Sequence, residues 1–320
     1  MAKHNILVTG GAGFIGAQVT LELLNKGHNV TVVDRDQNRA NIVSRFGAKT
    51  IIADFPDIDY KAGYDTVIHL AADHKVEESV SQPLKYYTNN IIRTKQMLDR
   101  MVTVGIKNII FSSSGAVYGE AESKLPIPET AKYSSSCTYA STKIAGELLI
   151  RDYSKAYNLN YVTFRYFNAA GADSENRIGY TQVPATHVLP ILCNKIKNGE
   201  TFTIFGKDYN TVDGTCVRDY IHVVDIARAH SAALDFLDTG NKNETFNLGG
   251  PQSFTVRQLV EQVGNVVGKY PIIEYADRRP GDPAMLIGDI SKAKNMLNWE
   301  PKYNITDMIR HAWTWELRKE

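Results

Sequence analysis

An α/β fold with a doubly wound parallel sheet and a second, smaller mixed α/β lobe is the architecture this 320-residue sequence predicts. Three observations carry that reading. Short apolar, β-branched runs recur along the first half of the chain, with helix-length segments between most of them. A glycine-rich turn sits where the first such run meets the first helical segment. The rhythm then changes after about Asn168. The length exceeds one ordinary core, which fits a large domain with an appended lobe.

The runs are Asn5–Thr9, Asn29–Val33, Lys49–Ala53, Thr66–Leu70, Asn108–Phe111 and Asn160–Arg165. Phe14 to Asn25 carries apolar residues at helical spacing and stops before Gly27. Residues 169–185 are rich in Gly, Ala and polar groups and read as loop. Helices follow near 186–197, 223–237, 255–267, 291–297 and 304–315, mixed with strands and turns. Residues 1–168 are therefore assigned to a dinucleotide-binding domain that the chain re-enters around 213–248. Residues 169–320 form mainly a substrate lobe. No repeat, low-complexity tract or flexible linker separates the two.

The formal charge of +1 leaves no basic field for nucleic acid or an anionic membrane. No apolar run approaches the roughly 20 residues of a membrane span, and no signal peptide precedes the first strand. Cys137, Cys193 and Cys216 make neither a CxxC pair nor a zinc pattern, so no metal is expected. A soluble, cytoplasmic protein is the expectation.

The first strand runs into Thr9-Gly10-Gly11-Ala12-Gly13-Phe14-Ile15-Gly16 and then a helix. Glycines there allow a tight turn, close approach of a pyrophosphate and close helix–strand packing. The helix start presents free N–H groups and a positive dipole end through Gly13, Phe14, Ile15 and Gly16. Asp34 ends the second strand about 20 residues on, where a carboxylate holds a ribose 2′-hydroxyl and repels a 2′-phosphate. NAD is thus favoured over NADP, although Arg35 beside it weakens the preference. Asp54, ending the third run, is placed to meet the adenine edge. A Rossmann domain is the reading.

Tyr139 and Lys143 stand four apart, which on a helix puts both on one face. The ammonium is expected to lower the tyrosine pKa and make Tyr139 a general base near neutral pH. Ser114 follows the fifth run, at a strand end where doubly wound sheets hold ligands. A YxxxK pair alone is more often a surface or packing pair. The dinucleotide turn upstream and the serine cluster at a strand end reverse that judgement.

These motifs resemble the extended short-chain dehydrogenase/reductase family, and within it the C4 epimerases of UDP-hexoses. TGGxGFIG stands at Thr9–Gly16 and YxxxK at Tyr139–Lys143. More specific segments are Glu78-Ser79-Val80, Pro83–Asn90, Phe111–Gly119, Arg165–Asn168, Asp213–Val223 and Arg278–Ala284. The resemblance spans essentially the whole chain. It implies that Lys143 and Asn89 touch the cofactor and that Asn168, Arg218, Arg279 and Asp282 hold UDP. Bidentate arginines suit a diphosphate and an aspartate suits a ribose diol. It further implies C4 epimerisation through a transient 4-keto sugar with NAD bound throughout. Lys143 and the positive nicotinamide would both favour the Tyr139 phenolate, and Ser114 would steady O4. The long segments Pro83–Val104 and Tyr139–Tyr157 would pair across a twofold axis into a homodimer.

His74 and His187 depart from relatives that place lysine and a UDP-binding asparagine there. The resemblance also puts Leu286, four residues after Asp282, on the wall of the sugar pocket. Its size predicts a preference for UDP-glucose and UDP-galactose over their N-acetylated counterparts. UDP-N-acetylglucosamine, UDP-xylose or UDP-glucuronate epimerisation is the runner-up. Dehydration is ranked low, because Ser114 and Gly115 stand where its Asp-Glu pair belongs. A non-catalytic NAD-binding regulator is the rival of a different class, and the presence of Tyr139 and Lys143 argues against it.

Overall fold

The computed structural model describes residues 3–120, 125–279 and 281–318. The large sheet is built from β1 (Asn5–Thr9), β2 (Asn29–Asp34), β3 (Lys49–Ile52), β4 (Thr66–His69), β5 (Asn108–Ser114) and β6 (Asn160–Tyr166). The chain then leaves it for β7 (Asn168–Ala170), β8 (Thr201–Phe205) and β9 (Val217–His222), and returns with β10 (Glu244–Leu248). The order β10-β6-β5-β4-β1-β2-β3 is parallel throughout. Strand order reverses beside β1, where β2 flanks one side and β4 the other. That switch point opens a crevice at the strand C-termini.

The helices are α1 (Phe14–Asn25), α2 (Gln37–Ser44), α3 (Val76–Ser81), α4 (Pro83–Tyr87), α5 (Arg93–Val104) and α6 (Thr138–Tyr157). They continue with α7 (Val188–Asn198), α8 (Val223–Asp238), α9 (Val256–Val267), α10 (Ser291–Leu297) and α11 (Ile305–Arg318). One face of the sheet packs on α1 and α8, and Ala293, Leu297 and Trp299 join that core. The other face packs on α5 and α6 through Met97, Leu98, Met101 and Ile150, all fully buried. Burial of each such side chain stabilises the fold by about 1.5–3 kcal/mol.

In the lobe, Leu189 and Leu192 of α7, Leu259 and Val263 of α9, and Met308 and Ile309 of α11 form a separate core. Its strands make two small sheets. In one, β9 pairs with β7, β11 (Ser253–Thr255) and β13 (Met285–Leu286). The other is the β8–β12 pair, with β12 at Ile272–Ala276. No described helix is long and apolar enough to cross a membrane.

Local chemistry sets the helix ends. The Cys137 thiol accepts from Ala140 N at the start of α6, and Asn158 stops it in the left-handed region. Thr255 and Gln258 cap each other at the start of α9, and Gly268 ends it at φ +77°. Two expectations are refined. The helix expected over Pro83–Val104 is interrupted between α4 and α5 by a π-helical turn, Thr88–Ile92. The expected loop 169–185 begins inside β7, because Asn168–Ala170 finds a partner in β9.

Candidate active site

A cleft of about 2060 Å³ lies along the C-terminal ends of the large sheet and under the lobe. It begins at the turn between β1 and α1. Gly10 sits at φ +67°, and a Cβ there would come 2.8 Å from Ala71 backbone. A Cβ on Gly16 would lie 2.1 Å from the Gly10 carbonyl. Only glycine permits this turn, and α1 starts at Gly13 with no side-chain cap. Its free N–H groups face the cleft, whose wall includes Gly10, Gly13, Phe14, Ile15 and Gly16. The cradle fits a pyrophosphate.

Asp34, at the end of β2, accepts from Ala12 N (3.2 Å) and Asp36 N (3.1 Å), so its carboxylate is oriented toward the turn. Asp54 accepts from Phe55 N and pairs with Arg93 and, at 3.7 Å, Arg35. Arg35 therefore turns toward Asp54, which tempers its threat to the NAD preference. Asn89 sits in the π-helical turn and donates to Asp73 Oδ2 at 2.5 Å. Such turns widen a helix and often mark functional positions.

The chemistry-bearing side chains converge where β5 ends beside α6. Lys143 is buried; its ammonium donates to the Ser112 carbonyl at 2.7 Å and lies 5.8 Å from the Tyr139 ring centre. Ser114 caps the turn after β5 by accepting from Ala116 N at 3.1 Å, and its hydroxyl also engages the Tyr139 phenol. The expected lowering of the tyrosine pKa is not what the site shows. Burial of the phenol pushes it up to about 12, and the Ser114 hydrogen bond offsets only part of this. Burial also draws the Lys143 amine down to about 8, against the pull of Glu147. The lysine is therefore still charged at neutral pH, while burial alone keeps the phenol protonated there.

The far end of the cleft is cationic. Arg218 on β9 is 8% exposed, donates to Val217 O and forms an ion pair with Asp282. Asn168 lines the cleft, and its Nδ2 donates to Asp219 O at 3.0 Å. Arg279 is exposed and stacks 3.9 Å from the Phe205 ring centre; Pro280, next to it, lies outside the described residues. His187 precedes α7 and packs edge-on against Phe14 and Tyr180, with His74 at 5.8 Å. Burial draws His187 down to about 3, with His74 adding to the effect, and lowers His74 as well. Both are neutral hydrogen-bonding groups at neutral pH.

Each candidate catalytic, cofactor and substrate residue named from the sequence lines this cleft except Leu286. Pairing of β13 with Val217 and Arg218 sets Leu286 instead on the Val117–Tyr118–Ile127 cluster. Phe167 packs on that cluster too, and Phe167 does reach the wall. Among the described residues no group of three or more His, Cys, Asp or Glu is placed to hold a metal.

Residues 6–249 match the family described as the NAD dependent epimerase/dehydratase family. The chain belongs to that family. The family's dinucleotide, NAD, is the one the Gly10–Gly16 cradle and Asp34 fit. The chain is 43% identical over 317 residues to UDP-glucose 4-epimerase of Halalkalibacterium halodurans, covering 97% of this chain and 95% of that one. Among solved structures it is similar to UDP-glucose-4-epimerase from Stenotrophomonas maltophila with bound NAD and formylated UDP-arabinopyranose. There the TM-score is 0.93 and the identity 34%, over 98% of both chains. It is also similar to UDP-glucose 4-epimerase from Bifidobacterium longum in complex with NAD+ and UDP, with a TM-score of 0.91, 34% identity and 98% of both chains covered.

Sequence reasoning missed the buried polar framework beneath this family member's site. Glu147 and Arg165 form an ion pair at 2.6 Å with each side chain 4% exposed. Asp219, buried under Gly249 and Gly250, accepts from Gly250 N and Gly288 N, and burial pushes its carboxyl up to about 7. The partners lie 18 to 69 residues apart, so no local spacing signals them.

Proposed function

We propose that the protein interconverts UDP-glucose and UDP-galactose by inverting the C4 hydroxyl. The observation that carries the reading is the position of Tyr139, Ser114 and Lys143 on one wall of the cleft. The Gly10–Gly16 cradle lies at one end of that cleft and the Arg218–Asp282 pair at the other. A bound NAD would supply reversible hydride transfer at the sugar C4, and Gly10, Gly13, Phe14, Ile15, Gly16, Asp34, Asp54, Asn89 and Lys143 would hold it. Tyr139 takes the proton of the 4-hydroxyl and later gives it back, and Ser114 hydrogen-bonds O4. Burial raises the phenol, so positive charge beside it sets its strength as a base, and Lys143 and a bound nicotinamide would act together there.

Asn168, His187, Arg218, Arg279 and Asp282 anchor UDP, the arginines on the diphosphate and Asp282 on the ribose. That anchorage is remote from C4, so a 4-keto sugar can turn while the nucleotide stays in place. Residues 1–168, with the return through 213–248, act as the cofactor domain, and 169–320 act as the UDP-sugar lobe. Two chains pair through α4, the π-helical turn after it and α6, where Leu84, Tyr87, Ile92, Leu148 and Tyr157 are exposed apolar side chains. Light scattering at the mass of a monomer would remove the dimer. The three cysteines form no disulfide, which suits a reducing, cytoplasmic setting.

Purified protein assayed against a panel of UDP-sugars, with bound nucleotide identified after denaturation, tests the function. UDP-glucose and UDP-galactose are expected to interconvert with NAD retained. A requirement for stoichiometric NADP turnover would overturn the reading. The same panel tests sugar range: Leu286→Gly loosens the cluster behind Phe167 and is expected to raise N-acetylhexosamine activity relative to hexose activity. An unchanged ratio would show that Leu286 does not limit the sugar.

A further inference from the structure

The Glu147–Arg165 pair lies outside the cleft yet touches the strand that carries Ser114. Glu147 stands one helical turn after Lys143 on α6, so both project from the same face. Lys143 donates to the carbonyl of Ser112 (2.7 Å), and Glu147 accepts from the hydroxyl of Ser113 (2.5 Å). Two successive residues at the end of β5 are thus stapled to two successive turns of α6. Ser114 follows directly, and Tyr139 is one turn earlier on the same helix.

Arg165 completes the clamp from the other side. It sits directly opposite Ser113 in the β5–β6 register. It donates to both Glu147 oxygens through Nε (3.0 and 3.2 Å) and Nη2 (2.6 Å), and to Tyr118, Tyr133 and the Glu129 carbonyl. A hydrogen-bonded pair this complete leaves α6 no freedom to slide along β5. Removing one partner would bury an unpaired charge, whereas replacing both with apolar groups of similar volume is often neutral for stability.

We propose that Glu147, held by Arg165, is a positioning residue for the proton transfer, fixing Tyr139 and Lys143 of α6 against Ser114 of β5. The inference rests on the epimerase reading for its activity arm only. Glu147 also supplies the negative charge that keeps the Lys143 amine protonated against burial. The other groups facing Lys143 and its neighbour Tyr139 are Cys137 at the start of α6, His69 of β4, His74 beyond it and Tyr166 of β6. Burial lowers the two histidines and raises the tyrosine, so all three are neutral near pH 7 and none can replace the carboxylate.

The test compares Glu147→Gln with the double variant Glu147→Met, Arg165→Met, in which apolar chains of similar length replace both partners. Melting midpoint, kcat, KM, the alkaline limb of the pH profile and the Lys143 titration by lysine side-chain NMR in ligand-free protein are all measured. The single variant is expected to melt lower. The double variant is expected to regain the wild-type midpoint while kcat stays down by roughly 10- to 100-fold with KM little changed. Its alkaline limb and its Lys143 titration should both move down by about one unit or more. A double variant that recovers wild-type kcat and pH profile along with its midpoint would show a purely structural role. Should the double variant not fold, Ser113→Ala decides, because it removes only the hydroxyl that Glu147 holds: a lowered kcat at constant KM is expected, and an unchanged kcat overturns the proposal. If the wild type turns over no UDP-sugar, the epimerase reading falls. The Lys143 titration then still decides the placement of charge, and an unmoved titration in Glu147→Gln refutes it.

Discussion

Lys143→Met should lower turnover by about 100-fold, and the figure follows from the site's geometry. The ammonium lies 5.8 Å from the centre of the Tyr139 ring. At an effective dielectric of about 20, a unit charge at that distance stabilises the phenolate by about 3 kcal/mol, close to two pKa units. Losing it leaves roughly one hundredth of the base form at a given pH. The effect has its own pH signature. Burial brings the Lys143 amine down to about 8, so the charge is present below that pH and lost above it. The ratio of wild-type to variant kcat should therefore be large at pH 7 and shrink as pH rises past 8. The assay is conversion of UDP-galactose to UDP-glucose across pH 6–10, with bound NAD quantified in both proteins so that cofactor loss is separated from base strength. A variant with wild-type kcat at pH 7, or a ratio constant across pH 8, would refute the argument.

Gly16→Ala should abolish NAD retention, since its Cβ would meet the Gly10 carbonyl at 2.1 Å; a purified variant still carrying NAD would show that the turn can yield. Arg218→Met should weaken UDP binding by about 10- to 150-fold, the range for a charge-assisted hydrogen bond, and calorimetry with UDP reads it; an unchanged Kd would place the diphosphate elsewhere. Thermal stability should fall as pH drops from 6.5 toward 4. His69, His187 and His222 are held near 3 and His230 near 4 by burial, so below 6.5 the unfolded chain takes up protons that the folded chain refuses. Asp219, raised to about 7, works in the opposite sense, as do Glu129 and Asp225, but the lowered histidines, which include His28, His74 and His311, outnumber them, and a melting point flat between pH 7 and 5 would contradict the balance.

The parts legible in the sequence were those whose signal is local. Thr9–Gly16 packs a turn, a helix start and two steric constraints into eight residues. Tyr139 and Lys143 are placed on one face by helix geometry alone. Strand runs such as Asn160–Arg165 announce themselves because both faces of a parallel strand are buried. What stayed hidden depends on contacts between distant segments. The π-helical turn holding Asn89 has no local sequence marker. Leu286 is displaced from the wall by the pairing of the two-residue strand β13 with β9, which no periodicity reveals. The Tyr139 pKa was misjudged because spacing reports a neighbouring charge, while desolvation is known only once the phenol is seen among its neighbours. The Glu147–Arg165 clamp was invisible for the same reason: its partners meet only when β5, β6 and α6 have packed.

The most direct test of the central claim follows one atom. UDP-galactose carrying deuterium at C4 is incubated in ordinary water with the purified protein and no added nucleotide, and the UDP-glucose formed is analysed by NMR and mass spectrometry. If the hydrogen leaves C4 and returns to the same carbon within one closed site, the product retains the deuterium at C4 while the hydroxyl configuration is inverted. Product that has lost its label to solvent, or no product from protein that carries NAD, would contradict the account.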